Sequence, residues 1–321
     1  MRRYSLLLAL VLLAAACSGG STATTSTAAD STITTAGETT TTEDAGFPVR
    51  IEVANGAVDI VEKPLAIISL SPTATEMLFA IGAGDQVIAV DEFSNYPEEA
   101  PTTDLSGYEP NIEAIAALNP DLVVVSDDFN DIVAALTAIQ VPVIHHPAAI
   151  TLEDTYTQIE QLGAATGNLS DAAALVASMQ TDIEEMVESA GQIGAARTYY
   201  HELDGTLFSI TSETFIGQIY GLVGLENIAD AAGGAESGYP QLSAEYIIDA
   251  DPDLIFLADT KCCGETPRTV AARPGWDHLT AVVEQSVIPL DDDIASRWGP
   301  RVVDLLAEIV EAVLTLEGAT P

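Results

Sequence analysis

The chain has 321 residues, with 49 acidic side chains against 10 basic ones and a formal net charge of −39. Phosphate backbones are held by clustered Lys and Arg, so this balance excludes a nucleic-acid partner and favours solubility, including solubility at high salt. Only three cysteines are present, with no Cys-x-x-Cys spacing, which excludes a disulfide framework and a structural zinc site.

Taken in chain order, the first segment carries targeting information. Arg2 and Arg3 precede a short apolar run over 6–13, and small residues at 14–16 lead into Cys17. The run is shorter than the roughly 20 residues a bilayer span requires. It predicts a secretory signal peptide over 1–16, cleaved before Cys17, with a lipid on the Cys17 thiol. Residues 17–47 are dominated by Ser and Thr. They cannot bury enough apolar surface to offset the entropy of ordering, so they predict a disordered tether. The remainder exceeds the usual size of a single core and predicts two lobes.

The body alternates short apolar runs with helical patterns. A buried-strand run covers 66–70. Ser71 and Pro72 then predict an N-cap and first helical position, Thr73 with Glu76 a capping box, and Gly82 or Gly84 the stop. Strands are expected over 87–90, 121–125 and 141–144, and helices over 112–118 and 132–139. No strand is expected over 151–191, where Leu175, Met179, Ile183, Met186 and Val187 recur at helical spacing. Strands then resume over 198–201, 207–211, 254–258 and 286–290, with helices over 215–223 and 300–316. Alternation of this kind predicts an α/β fold: two Rossmann-like lobes with parallel sheets, joined by a single long helix. The expected bounds are 48–166 for the N-lobe, 167–194 for the linking helix and 195–321 for the C-lobe. A ligand would sit between the lobes, at the carboxyl ends of the strands.

Five segments in order resemble one family. "IISLSPTATEMLFAIGAGDQVIAV" with "SNYP", "PNIEAIAALNPDLVVV", "YPQLSAEYIIDADPDLIFL" and "RPGWDHLTAV" with "SVIPLDDDIASRWGPRVVDLL" resemble the periplasmic iron-siderophore and vitamin B12-binding proteins. The resemblance runs from about 50 to 318. It implies two lobes tied by a rigid helix, an ABC importer permease as partner, and a ligand that is a small metal complex bringing its own cobalt or iron, with no cofactor of the protein's own. Within the family the vitamin B12-binding branch is the most similar. Phe93 and Tyr96 match its aromatic–Ser–x–Tyr–Pro element, which stacks on the corrin. Tyr239 opens its aromatic–Pro–Gln element, and Asp293 and Arg297 match its acid and base near the last helix. Near Tyr108 the branch has a tryptophan and the spacing differs. The resemblance also implies that Glu113 and Glu245, at equivalent places in the two lobes, pair with arginines of the permease.

A planar chelate needs aromatic walls, and Phe93, Tyr96, Tyr108, Phe129 and Tyr239 all follow predicted strands on the cleft side. Lys261, Arg268 and Arg297 are expected in the cleft, and Arg50, Lys63, Arg197, Arg273 and Arg301 at structural or surface places. So few cations favour a cobalamin over an anionic ferric siderophore or haem, which stands as the alternative ligand. His145 or His146 could supply an axial metal ligand, as could His201. Cys262 and Cys263 are expected to form a bridge between neighbours, against free thiols, metal ligation or pairing with another chain. No Gly-x-Ser-x-Gly elbow or acid–base spacing is present, so no catalysis is expected. The expected form is an exported monomer touching the membrane only through its lipid.

Overall fold

The computed structural model describes residues 46–191, 197–316 and 318. The signal peptide over 1–16, Cys17 and nearly all of the expected tether therefore lie outside the described residues, as do 192–194 of the expected linking helix.

The N-lobe opens with an antiparallel hairpin, β1 (Val49–Val53) and β2 (Gly56–Ile60). Its parallel sheet is built from β3 (Ile67–Leu70), β4 (Val87–Val90), β5 (Leu122–Val125) and β6 (Val143–His145), in the order β4-β3-β5-β6. Helices α1 (Pro72–Ala80), α2 (Ile112–Ala117) and α3 (Ile132–Ala138) connect the strands. β3 and β5 are buried at every position, the pattern of strands covered on both faces, which is why they read as unbroken Ile, Leu and Val runs. Ser71 caps α1 by accepting from the Ala74 amide at 3.3 Å, and Gly82 ends it at φ +76°. The expected Thr73–Glu76 capping box does not form. Ser71 already occupies the cap, and Glu76 is buried with its carboxylate turned toward Arg297 and Arg301.

The strandless stretch is a helical hairpin of α4 (Leu152–Thr166) and α5 (Leu169–Ala190). Thr151 and Asp154 form a capping box at the start of α4, and Gly167 closes it in the left-handed conformation at φ +76°. The two helices pack closely at Gly163, where an added Cβ would stand 2.4 Å from that of Ala172. α5, at 22 residues, is about 33 Å long and links the lobes. Its buried stripe is Ala172, Val176, Met179 and Ile183, with Leu175, Met186 and Val187 half-buried against the same core.

The C-lobe sheet has the order β10-β9-β7-β8, from β7 (Arg197–Glu202), β8 (Leu225–Asn227), β9 (Leu254–Leu257) and β10 (Val287–Pro289), all parallel. Its helices are α6 (Phe215–Gly221), α7 (Ala244–Ala250), α8 (Pro267–Ala271), α9 (Thr280–Val283), α10 (Asp292–Ser296) and α11 (Val302–Leu316). The stretch 207–211 is not the expected strand. Leu207 at φ +67° breaks the extension, and Ser209 and Thr211 bond instead to the carbonyls of Pro240 and Gly238. α11 packs along α5, and one core cluster runs without a break from Ile51 and Met77 through Ile159 and Met179 to Phe256 and Leu306. Apolar contact thus runs from one lobe into the other.

Candidate functional site

The carboxyl ends of both sheets open toward the junction of the lobes, and the loops leaving them carry most of the expected site. Asp91, directly after β4, fixes the first loop. Its carboxylate accepts from the Phe93 amide at 2.9 Å, and its backbone pairs with Leu105. Burial raises the Asp91 carboxyl above its ordinary value, against the hydrogen bonds from Phe93 and Ser94 and the pull of Arg297. Gly107 lets the returning strap pass: a Cβ there would meet the Leu70 carbonyl at 2.9 Å. Tyr108 is the next residue. Its ring packs edge-on against Phe93 and tilted against Phe129, each at 5.8 Å between centroids. All three rings are exposed, although they are large and apolar. Three grouped aromatic side chains left to water at the mouth of a cleft form a surface suited to a flat partner.

Tyr96 lies on the same side. The Arg301 guanidinium, expected at a structural or surface place, sits 4.1 Å from the centre of the Tyr96 ring. Tyr239 is half exposed and lines a cavity of about 420 Å³ with Ile150 from the N-lobe, Thr214 and Phe215 from the C-lobe, and Trp298. Trp298 joins the lobes: its indole N–H donates to Gln158 Oε1 at 3.0 Å, and its carbonyl accepts from Thr155 at 2.9 Å.

Asp293 and Arg297 are brought to the lobe junction, but they are occupied by the protein. Arg297 is 9% exposed and bonds to Glu76, the Phe93 carbonyl, Asn95 and Asp293. Asp293 also accepts from Asn95 and from Lys261, each at 3.0 Å. Burial works to raise its carboxyl, and Lys261, Arg297 and Asn95 outweigh that and hold it below the ordinary range. Arg297 and Lys261, expected in the cleft, are thus both paired with carboxylates of the chain itself. Among the described residues only Lys63 and Arg268 stand outside ion pairs, and Arg268 is exposed on α8.

The histidines do not converge on a metal site. The His145 ring bonds to the Ser126 carbonyl at 3.2 Å. His146 is 4% exposed, and burial pushes its imidazole down to about 4. His201 is fully buried against the Tyr220 hydroxyl at 2.8 Å, and burial lowers it to about 3. Both buried rings are closed to a cleft ligand. No group of three or more metal-ligating side chains occurs among the described residues.

Cys262 and Cys263 form a disulfide between neighbours in the exposed loop after β9. The Lys261 and Cys262 amides donate to the Asp292 carboxylate, which fastens this loop to the start of α10. Glu113 and Glu245 occupy the same place in α2 and α7, one residue past the start of each helix, with Asn111 and Ser243 as caps. Both are exposed.

The model of the family described as "periplasmic binding protein" matches residues 67–294. An uncharacterized ABC transporter substrate-binding lipoprotein of Bacillus subtilis is 29% identical over 277 residues, covering 83% of this chain and 86% of the relative. A cobalamin-binding protein of Halobacterium salinarum is 29% identical over 276 residues, covering 83% of this chain and 74% of the relative. The crystal structure of a periplasmic vitamin B12 binding protein of Vibrio cholerae aligns with a TM-score of 0.66 at 24% identity, over 79% of this chain and 98% of that one.

Proposed function

The chain belongs to the periplasmic binding protein family, and from that premise we propose that it captures a cobalamin or related corrinoid in the interlobe cleft and delivers it to an ABC importer. The observation that carries this reading is the pairing of exposed aromatic walls with spent cations. Phe93, Tyr108 and Phe129 on one side and Tyr239 on the other offer stacking faces to a macrocycle. Six of the eight Lys and Arg side chains in the described residues are in ion pairs, which disfavours a strongly anionic chelate or haem. The names of the relatives in Halobacterium and Vibrio point the same way.

In this reading the protein performs no chemistry on its ligand and needs no cofactor, because the cobalt arrives in the corrin. It works as a monomer outside the cell, held to the membrane by a lipid on Cys17, and docks on its permease through Glu113 and Glu245. Titration with cyanocobalamin and with a ferric hydroxamate chelate, followed by tyrosine and tryptophan fluorescence, tests the ligand. Saturable binding of the corrinoid alone is expected. Tyr239→Ala should weaken it several-fold, since a stacked ring is worth on the order of 1 kcal/mol. Saturation by the ferric chelate with no response to the corrinoid would replace this ligand with the alternative.

A further inference from the structure

The loop bearing Phe93 and Tyr96 is gripped by two arginines from the far end of the chain, and one carboxylate holds both. Glu76 is 3% exposed, on α1 beside Met77 and Leu78. Its Oε1 accepts from Arg297 Nη1 at 2.7 Å and from Arg301 Nη2 at 2.5 Å, and its Oε2 accepts from Arg301 Nε at 3.0 Å. The arginines use their other faces on the loop. Arg297 Nη2 donates to the Phe93 carbonyl at 3.1 Å and to Asn95 Oδ1 at 3.0 Å, and Arg301 lies over the Tyr96 ring. A buried carboxylate persists only when paired, and two neighbouring guanidinium groups stay together only when a negative charge lies between them. Removing the charge of Glu76 leaves Arg297 with Asp293 and takes from Arg301 the carboxylate that both its bonds use, and Arg301 then has reason to turn to solvent and abandon Tyr96.

We propose that Glu76 is a positioning residue of the cleft: it touches no ligand, yet through Arg297 and Arg301 it fixes where the 93–96 loop presents its aromatic rings. This rests on the reading that Tyr96 faces the ligand. It also gives Arg297 a different task from a direct ligand contact, because its bonds are spent between the lobes.

Glu76→Gln tests the proposal, with cyanocobalamin as probe. The expected result is a fall in affinity of about tenfold with cooperative thermal unfolding retained, the size usual for residues coupled through a shared network. In a Phe93→Ala, Tyr96→Ala background the same substitution should cost less than about twofold, because both rings through which it acts are gone. Simple addition of the two losses would show that Glu76 acts on the fold and would overturn the proposal. A second readout needs no ligand. 3-Fluorotyrosine placed at position 96 should give a fluorine resonance displaced from that of the free amino acid, and Glu76→Gln should move it back toward the free position. If Tyr96→Ala binds the corrinoid as the parent does, the ligand reading fails and the fluorine resonance decides alone: a shift upholds the positioning role and an unchanged signal overturns it. Should Glu76→Gln not fold, Arg301→Lys, which keeps the charge beside Glu76 and loses the planar stack, must reproduce the fluorine shift; parent-like behaviour there overturns the proposal as well.

Discussion

Asp259, just beyond β9, is fully buried, and neither carboxylate oxygen has a hydrogen-bond partner in another residue. Burial, and then the nearby carboxylates of Glu202 and Glu265, push its carboxyl up to about 7, with Arg273 pulling partly against them. Arg273 is itself engaged, bonding Glu202 through both terminal nitrogens at 2.6 Å. The unfolded chain releases the Asp259 proton near pH 4, whereas the folded chain keeps it to about 7. Within that window the folded state binds more protons, so this group's contribution to stability falls as pH rises. Asp259→Asn should match the parent at pH 4 and exceed it at pH 8 by a few kcal/mol, up to about 4. Urea unfolding of both proteins at pH 4, 6 and 8 checks this, and a constant difference across the series contradicts it. The environment of Asp259 could not be read from the chain, and the reason recurs at Glu76. Residues Thr73 to Leu78 of α1 are all buried, so no solvent face marks where its carboxylate should point, and its partners Arg297 and Arg301 lie 221 and 225 residues away. The exposed loop placement of Phe93, Tyr96 and Tyr239 was legible because each follows a strand or sits in a short local motif.

Among elements, the parallel strands were the easiest to read, since burial on both faces turns them into continuous apolar runs such as 122–125 and 254–257. The misreading at 207–211 came from one residue, Leu207, whose positive φ has no signal in hydrophobic periodicity. β8 was missed because three residues carry no period. The α4–α5 hairpin offers a test in which packing opposes propensity. A helix-interior Gly→Ala ordinarily stabilises by roughly 0.5–1 kcal/mol. At Gly163 the new methyl would meet Ala172, so Gly163→Ala should instead destabilise by about 1–3 kcal/mol. Denaturant unfolding gives the sign directly, and stabilisation would mean that the hairpin can spread. The paired helices α2 and α7 carry the docking reading. Glu113→Ala with Glu245→Ala should leave corrinoid affinity unchanged and slow uptake, because both side chains are exposed on the helices α2 and α7. Normal uptake at limiting protein would remove the docking role, and lost ligand binding would place these residues in the fold or the cleft.

For the whole molecule the first consequence is electrostatic. With 49 acidic against 10 basic residues the folded chain repels itself, and salt screens that repulsion over about 10 Å at 0.1 M. Thermal stability should therefore climb by several degrees from 0.05 to 1 M potassium chloride, as calorimetry can measure. A flat profile would mean that the acidic groups are spaced too widely to matter. The second consequence concerns time. The lobes are joined along α5, and again by 293–301, which bonds to Glu76, Asn95, Thr155 and Gln158 of the N-lobe while belonging by sequence to the C-lobe. A body braced at two places has no free hinge, so capture is a single encounter with a cleft that is already shaped. Association should be one bimolecular step, limited by the orientation of each encounter to typically 10⁵–10⁷ M⁻¹s⁻¹. In stopped-flow mixing the observed rate should rise in proportion to cyanocobalamin without levelling off, and differences between ligands should appear in how long each one stays. A plateau would expose a closing step after encounter, and with it a brace that gives way.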